Sequence, residues 1–131
     1  LVRKYDLADR VRMTGDYVEN NDVKYYFSAS DLVTLTYRSA TNSGVTQAAF
    51  QFDKPVLVTD VGGLGEIIPH GTAGYVVPVN AKAVADAVVD FYENNREETF
   101  TAGMLAEKPR FGWDVFVDKI VNLYAAIQAQ K

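Results

Sequence analysis

Three short apolar runs, each followed by a polar turn and then by a segment with helical periodicity, constrain the fold more than any other feature. The runs are LVTLTY, KPVLVT and GYVVPV, and they are β-branched or apolar almost throughout. Such runs are typical of strands that are covered on both faces. Strands that alternate with helices indicate a parallel sheet with right-handed crossovers. The sequence therefore predicts an α/β fold, a partial Rossmann-like three-layer α/β/α arrangement around a parallel sheet.

The remaining pattern adds a fourth strand and several helices. The strand is predicted at about residues 10–14, where it could pair with the LVTLTY strand or with another chain. Helices are predicted in ENNDVKYYFSASD, SGVTQAAFQF, NAKAVADAVVDFYENN, REETFTAGMLAEK and GWDVFVDKIVNLYAAIQAQK, with about one helical turn in GEIIPHG. Ser43 and Asn80 are the expected caps of two helices, and the cap of the first helix is expected to be Asn20, Asn21 or Asp22.

Two of the helices are expected to pack on the domain through apolar stripes at helical spacing. The stripe of the first helix consists of Val23, Tyr26, Phe27 and Ser30. The stripe of the last helix consists of Trp113, Phe116, Val117, Ile120, Leu123 and Tyr124. Trp113 in particular is expected to hold the last helix against the rest of the chain.

The composition excludes several classes of site. The chain has 131 residues, which fits one domain, and its net charge of -4 argues against a nucleic-acid groove. It has no cysteine, which excludes disulfides and thiolate metal sites, and His70 is its only histidine, which excludes a multi-histidine site.

The first residue and the number of strands both suggest that part of the protein is missing. The chain begins with leucine, and it has four predicted strands, whereas a complete nucleotide-binding domain usually has about six. We therefore expect a piece of a longer protein, called the parent below.

Two glycine-bearing turns, SATNSG and DVGGLG, follow neighbouring strands and predict a binding crevice. Ligands of open α/β sheets bind beyond the carboxyl ends of the strands, and both turns lie at such ends. A helix that begins at Ser43 would point unpaired backbone N–H groups and a partial positive charge into the crevice. Because Gly44, Gly62 and Gly63 have no side chains, a phosphate can approach their backbone closely. The hydroxyls of Ser43 and Thr46 could donate to the same anion.

The same residues also have a purely structural explanation. Glycine after a strand often only makes a tight turn, and Ser-Gly commonly begins a helix. Glu66 falls in the first turn of the next short helix, where a carboxylate is favoured with or without a ligand. His70 lies in a polar turn and is expected at the surface. A flavodoxin-like or receiver-like domain shares this layout, but a receiver needs clustered acidic residues at strand ends, where we find only Asp60.

The run SGVTQAAFQFDKPVLVTDVGGLGEII, followed by GTAGYVVPV, closely resembles the C-terminal domain of group 1 glycosyltransferases with the GT-B fold. YYFSASDLVTLTY resembles the family's helix and strand before the donor loop, and FGWDVFVDKIVNLY resembles its closing helix. The resemblance covers nearly the whole chain and is most specific over residues 39–78. It implies that residues 1–131 are a C-terminal nucleotide-sugar-binding domain that lacks its first strands and the N-terminal acceptor domain.

The resemblance also implies an activity and a set of site residues. The activity is retaining transfer of a sugar from a nucleotide-sugar donor to a polysaccharide or glycolipid acceptor, without a bound metal or another cofactor. In the family, the first glycine segment contacts the diphosphate and sugar of the donor, and the second lies beside the nucleotide. The substrate-binding residues implied in this sequence are Ser43, Gly44, Val45, Thr46, Gly62, Gly63 and Glu66.

One departure from the family concerns its paired glutamates, which lie eight positions apart around the donor loop. Aligned through Lys54-Pro55-Val56, these two positions hold Ala40 and Ala48, and neither side chain can accept a hydrogen bond. The catalytic carboxylate is therefore not identified, and a non-catalytic sugar-nucleotide-binding or partner-binding module stays open as the alternative function. The Arg and Lys that bind the donor phosphates in the family belong to a segment upstream of Leu1.

The expected partners are the nucleotide-sugar donor and, through the absent domain, a glycan or glycolipid acceptor, with no nucleic acid. We expect a cytoplasmic parent that works in polysaccharide biosynthesis, and we expect this chain alone to be inactive. Peripheral membrane association of the parent stays open, as does a dimer formed through an exposed sheet edge.

Overall fold

The fold is described from a computed structural model that covers residues 1–129. Within that range, three parallel strands form one sheet in the order β1-β2-β3. The strands are β1 (Val33–Leu35), β2 (Val56–Thr59) and β3 (Gly74–Val77). The helices are α1 (Asn20–Ala29), α2 (Gly44–Gln51), α3 (Leu64–Ile67), α4 (Ala81–Glu93), α5 (Arg96–Glu107) and α6 (Trp113–Ala129). Short 3-10 turns lie at Arg3–Tyr5 and Lys108–Phe111.

β2 is the central strand, and all four of its residues are buried. Its side chains alternate between two apolar clusters, one on each face of the sheet. On one face, Val56 and Val58 pack with residues of α2, α3 and α5, among them Ala49, Phe50, Leu64 and Met104. On the other face, Leu57 packs with residues of β3, α4 and α5, namely Tyr75, Ala87, Phe91 and Phe100. This arrangement confirms the predicted α/β/α layering.

Most elements with a strong local pattern form where the sequence predicts them. Ser43 precedes α2, and its side-chain oxygen accepts a hydrogen bond from the amide of Val45 at 3.3 Å. Asn80 precedes α4, and its side-chain oxygen accepts from the amide of Lys82 at 2.7 Å. Both predicted caps are therefore confirmed. A cap of this kind satisfies an amide that has no partner inside its helix.

The predicted strand at residues 10–14 is wrong. Residues 11–15 are irregular, and Met13 is 80% exposed. The LVTLTY strand, here β1, pairs only with β2 in the described sheet, so the alternative in which residues 10–14 pair with it is wrong as well. A strand needs a neighbour to satisfy its backbone groups, and residues 1–129 offer none to this segment.

The predictions for α1 and β1 hold only in part. The residue before α1 is Glu19, with no side-chain capping bond, so none of the three expected cap residues fills that role. Phe27 packs against Phe52 with ring centroids 5.1 Å apart, whereas Tyr26 is exposed. In β1, only Leu35 is buried. β1 lies at one edge of the described sheet, and its middle residue, Thr34, is exposed.

The expected packing of the last helix is also wrong. α6 has no buried residue, and Trp113 is 79% exposed. The helix follows the turn at Lys108–Phe111, and no other element in the described part of the chain packs closely against it. The last two residues of the predicted helix, Gln130 and Lys131, lie outside the described residues. No helix within residues 1–129 is both long and apolar enough to cross a membrane.

Candidate functional site

Two loops at the carboxyl ends of neighbouring strands form the candidate site. The first loop, residues 36–43, connects β1 to α2, and the second loop, residues 60–63, connects β2 to α3. β1 and β2 are parallel and paired in register, so the two loops leave the same end of the sheet. This is the end at which open α/β sheets bind their ligands.

The two loops touch at the glycine pair. The amide of Gly63 donates a hydrogen bond to the carbonyl of Thr41 at 3.0 Å. Gly62 adopts a φ of +54°, and a Cβ atom at this position would lie 1.8 Å from the carbonyl oxygen of Ala40. Gly62 is therefore required by the contact between the loops, a role that the sequence pattern did not predict, whereas Gly63 contributes only its backbone amide to that contact.

The start of α2 is open on its outer side. Gly44 is the first helical residue, so its amide has no acceptor within the helix. A Cβ atom at Gly44 would have no heavy atom within 4 Å, and its φ lies outside the left-handed range. Nothing in the described chain therefore requires glycine at this position. Val45 beside it is also exposed.

Thr46 lies behind this opening rather than in it. Its side chain is completely buried, and its hydroxyl donates to the carbonyl of Ser43 at 2.5 Å. The oxygen of the Ser43 side chain already accepts from the amide of Val45. The expected hydroxyl donor at Thr46 is thus committed to the helix start, and only the outer part of the segment, Ser43 to Val45, reaches the surface.

A cleft of about 500 Å³ lies beside the second loop. It is lined by Asp60, Gly62, Gly65, Glu66, Ile68, Pro69, His70, Val76 and Arg110. Glu66 lies in the first turn of α3, as predicted, and its side chain is exposed. Arg110 donates to the carbonyl of Glu66 at 3.1 Å and pairs with the carboxylate of Glu107 at 2.9 Å. Arg110 thus brings a paired guanidinium group to the cleft, and no local pattern predicts this because Arg110 lies far along the chain from the second loop.

His70 is exposed at the surface, as predicted, and its backbone forms an isolated bridge with Gly74. Its Nδ1 atom accepts a hydrogen bond from the backbone amide of Val76 at 3.0 Å. In the neutral imidazole the proton is therefore carried by Nε2. His70 thus covers an amide of β3 and offers a donor, rather than a base, to its surroundings.

Thr59, the last residue of β2, is another residue of this region that the sequence pattern did not predict. Its side chain is buried, and its hydroxyl lies 2.6 Å from the carbonyl oxygen of Tyr37 and 3.4 Å from that of Leu35. The signal that could have identified it is a hydroxyl at the end of an otherwise apolar strand. Buried hydroxyls of this kind almost always have a specific hydrogen-bond partner.

The two alanines at the family's glutamate positions lie on the first loop and on α2. Ala40 is half-buried, and its backbone carbonyl is the group that faces Gly62. Ala48 is half-buried on α2. Neither position brings a side-chain acceptor to the crevice. Tyr37 and Asn42 are exposed on the first loop, and the side chain of Asn42 accepts from the amide of Ser43 at 3.2 Å.

A family model described as glycosyl transferases group 1 matches residues 1–94. Sucrose synthase 6 of Oryza sativa subsp. japonica is 27% identical over 143 residues, an alignment that covers 94% of this chain and 16% of that protein. Sucrose synthase of Solanum tuberosum is 28% identical over 78 residues, covering 54% of this chain and 10% of that protein. The chain therefore spans only about a sixth of the length of the first of these relatives.

Two solved structures share the fold. Sucrose-phosphate synthase from Thermosynechococcus elongatus superposes with a TM-score of 0.80 at 23% identity, covering 99% of this chain and 33% of that one. Anabaena HepE in complex with UDP gives a TM-score of 0.80 at 22% identity, covering 95% of this chain and 35% of that one. HepE has also been solved with UDP-glucose, and that structure gives a TM-score of 0.75.

Proposed function

Because the chain belongs to the glycosyl transferases group 1 family, we propose that it is the donor-binding part of a retaining glycosyltransferase that uses a nucleotide sugar. One observation carries the proposal: the two glycine loops meet at the carboxyl ends of β1 and β2, joined by the Gly63–Thr41 hydrogen bond. The open start of α2 lies directly after the first of these loops. Of the seven residues that the family resemblance implies, we propose Ser43, Gly44, Val45, Gly62, Gly63 and Glu66 as the site residues, with the buried Thr46 supporting the helix start from behind.

The donor that we propose is a UDP sugar. HepE, which shares the fold, was solved with UDP and with UDP-glucose, and this makes UDP-glucose the first compound to test. The diphosphate would lie against the amide of Gly44, where the positive end of the α2 dipole favours an anion. No side chain of the described residues occupies the space that a Cβ atom of Gly44 would fill.

In the proposed reaction, the contribution of this chain is mainly electrostatic. Negative charge grows on the nucleoside diphosphate as the bond to the sugar breaks, and fixed amide dipoles at the start of α2 stabilise that charge. Arg110 also lines the cleft beside the second loop, where its charge is paired with that of Glu107. Positioning of the acceptor would come from the rest of the parent, and we therefore propose that this chain alone is inactive. We further propose that the reaction needs no bound metal.

A polysaccharide or glycolipid is the acceptor that we propose for a cytoplasmic parent. The names of the curated relatives concern sucrose, so a small soluble sugar is the competing class of acceptor. Transfer assays with the full-length parent and labelled UDP-glucose would distinguish the two classes by the size and the solubility of the labelled product.

The alternative function is a non-catalytic module that binds a sugar nucleotide or a protein partner. Ala40 and Ala48 favour it, because neither supplies the carboxylate that many relatives have at these positions. Sugar transfer by the full-length parent would exclude this alternative, whereas UDP-glucose binding without any transfer would support it.

The variant that tests the proposed site is Gly44→Val. No heavy atom of the described chain lies within 4 Å of the position that the Cβ atom of this valine would take. The fold should therefore tolerate the valine, while its side chain blocks the diphosphate. UDP-glucose affinity of the full-length parent, measured by calorimetry, should fall at least about tenfold, which corresponds to about 1.4 kcal/mol. Gly15→Val is the matched control, because Gly15 also lies in open space but far along the chain from both loops. Unchanged affinity in the Gly44 variant would contradict the proposed site.

A further inference from the structure

Thr59 occupies an unusual position for a hydroxyl. It ends the central strand, where the other three residues are Val56, Leu57 and Val58, and its side chain is only 2% exposed. A valine would have nearly the same shape and would suit this apolar strand better. The presence of a hydroxyl at this position is therefore explained by its hydrogen-bond partners.

Those partners belong to the neighbouring strand and the first loop. The hydroxyl lies 2.6 Å from the carbonyl oxygen of Tyr37, inside the first loop, and 3.4 Å from that of Leu35, the last residue of β1. The second loop makes another contact with the first loop, nearer to α2, where the amide of Gly63 donates to the carbonyl of Thr41. The first loop is thus held at positions 37 and 41 by β2 and by the turn that follows it.

The first loop in turn determines where α2 begins. Ser43, at the end of the loop, caps the helix, and Gly44 offers the first unpaired amide. A change in the path of the loop at Tyr37 would move this helix start relative to the end of β2. Preorganised amides stabilise charge only when they are held in place before the reaction.

We propose that Thr59 is a positioning residue for the donor site, which acts through the carbonyl of Tyr37 and does not touch the donor. This inference rests on the proposed function of the first loop. The buried hydroxyl of Thr59 would hold the diphosphate-binding end of α2 at the correct distance from the second loop.

The test compares Thr59→Val with Thr59→Ser in the full-length parent. Valine keeps the shape and removes the donor, whereas serine keeps the donor and removes a methyl group. Because Thr59→Val removes one net hydrogen bond, it should raise the dissociation constant of UDP-glucose about threefold to tenfold, whereas Thr59→Ser should stay within about twofold of wild type. The KM for the donor should rise in the valine variant while the KM for the acceptor stays unchanged.

Thr34→Val provides the matched control, since Thr34 is an exposed threonine on the neighbouring strand β1. Amide hydrogen exchange of the same full-length proteins gives a readout that needs no ligand. In the Thr59→Val variant, exchange should accelerate over residues 37–43 and stay unchanged in α4. A general loss of stability would accelerate exchange in both regions and would overturn the inference.

The outcomes separate this inference from the proposed function. If wild type binds neither UDP nor UDP-glucose, the proposed function fails, and the inference fails with it. If wild type binds UDP-glucose and Thr59→Val binds it equally well, only the inference fails. Equal weakening in the valine and serine variants would also overturn it, because size rather than the hydroxyl would then matter. Should the valine variant not fold, Thr59→Cys, with its weak donor, replaces it, and binding equal to that of Thr59→Ser overturns the inference.

Discussion

Gly62 must be glycine for two reasons, its backbone conformation and its packing. Its φ of +54° lies in the left-handed region, which glycine adopts without steric cost. The carbonyl of Ala40 occupies the place of the missing side chain. Gly44 differs in both respects, because its surroundings are open and its φ is not in that region. Two glycines that look alike in the sequence thus serve different purposes: Gly62 serves the fold, and Gly44 leaves space for the proposed ligand.

A pair of substitutions tests this distinction in the isolated chain. Gly62→Ala should lower the free energy of unfolding by about 2–4 kcal/mol, because the methyl group adds strain and displaces the first loop. Gly44→Ala should change it by no more than about 0.5 kcal/mol, because the new methyl group meets no neighbouring atom and alanine favours the helix. Urea denaturation followed by circular dichroism measures both values. Similar values for the two variants would contradict the assigned roles.

At the scale of whole elements, β3, α4 and α5 are joined by a polar cluster around Asp90. The Tyr75 hydroxyl of β3 donates to one carboxylate oxygen of Asp90, which also accepts from Arg96 of α5 at 3.2 Å. The side-chain amide of Asn94 donates to the other oxygen at 2.8 Å. The hydrogen bond from Tyr75, followed by those from Arg96 and Asn94, lowers the pKa of Asp90, whereas partial burial opposes the change. Burial and the neighbouring Asp90 raise the pKa of Tyr75.

This cluster predicts a pH dependence of stability. A carboxyl whose pKa is lowered by folding stabilises the fold at pH values above its unfolded pKa of about 3.9, and this contribution disappears as the pH falls further. At pH 7, Asp90→Asn should therefore unfold at a lower urea concentration than wild type, and the difference should shrink below about pH 4. Tyr75→Phe, which removes the strongest partner, should reduce the same difference. A gap between wild type and Asp90→Asn that is constant from pH 7 to pH 3 would rule out the assigned pKa change.

The elements also differ in how far the sequence could predict them. β2 is specified by its own unbroken apolar run, and α4 is specified by its Asn80 cap and by the helical spacing of Ala87 and Phe91, which are buried. The sequence also predicts a strand at residues 10–14 and a packed stripe on α6. Residues 1–129 provide neither a neighbouring strand for the first nor a packing surface for the second. The loop contacts of Gly62 and Thr59 depend on residues about 20 positions away along the chain. No local pattern encodes such a contact, so the crevice could be placed at the correct strand ends but its interior could not be predicted.

At the scale of the whole molecule, the main feature is that α6 presents large apolar side chains to solvent. Half or more of the surface of each is exposed, and they include Trp113, Phe116, Ile120, Leu123 and Tyr124. Contiguous apolar surface of this kind is uncommon on monomeric proteins and usually marks an interaction surface. Phe111, just before the helix, is different, because its ring packs on Phe50 of the core with ring centroids 4.7 Å apart. The boundary between the packed domain and the exposed helix therefore lies near Gly112.

Truncation on either side of this boundary tests the division. A chain that ends at Gly112 should keep its free energy of unfolding within about 1 kcal/mol of the intact chain, because it loses no buried side chain. It should also self-associate less at high concentration in sedimentation experiments, since the apolar stripe is gone. A chain that ends at Glu107 additionally loses Phe111 and the ion pair of Lys108 with Asp53, so it should be clearly less stable. If removing α6 alone prevents cooperative unfolding, α6 contributes to the core, and the boundary at Gly112 is wrong.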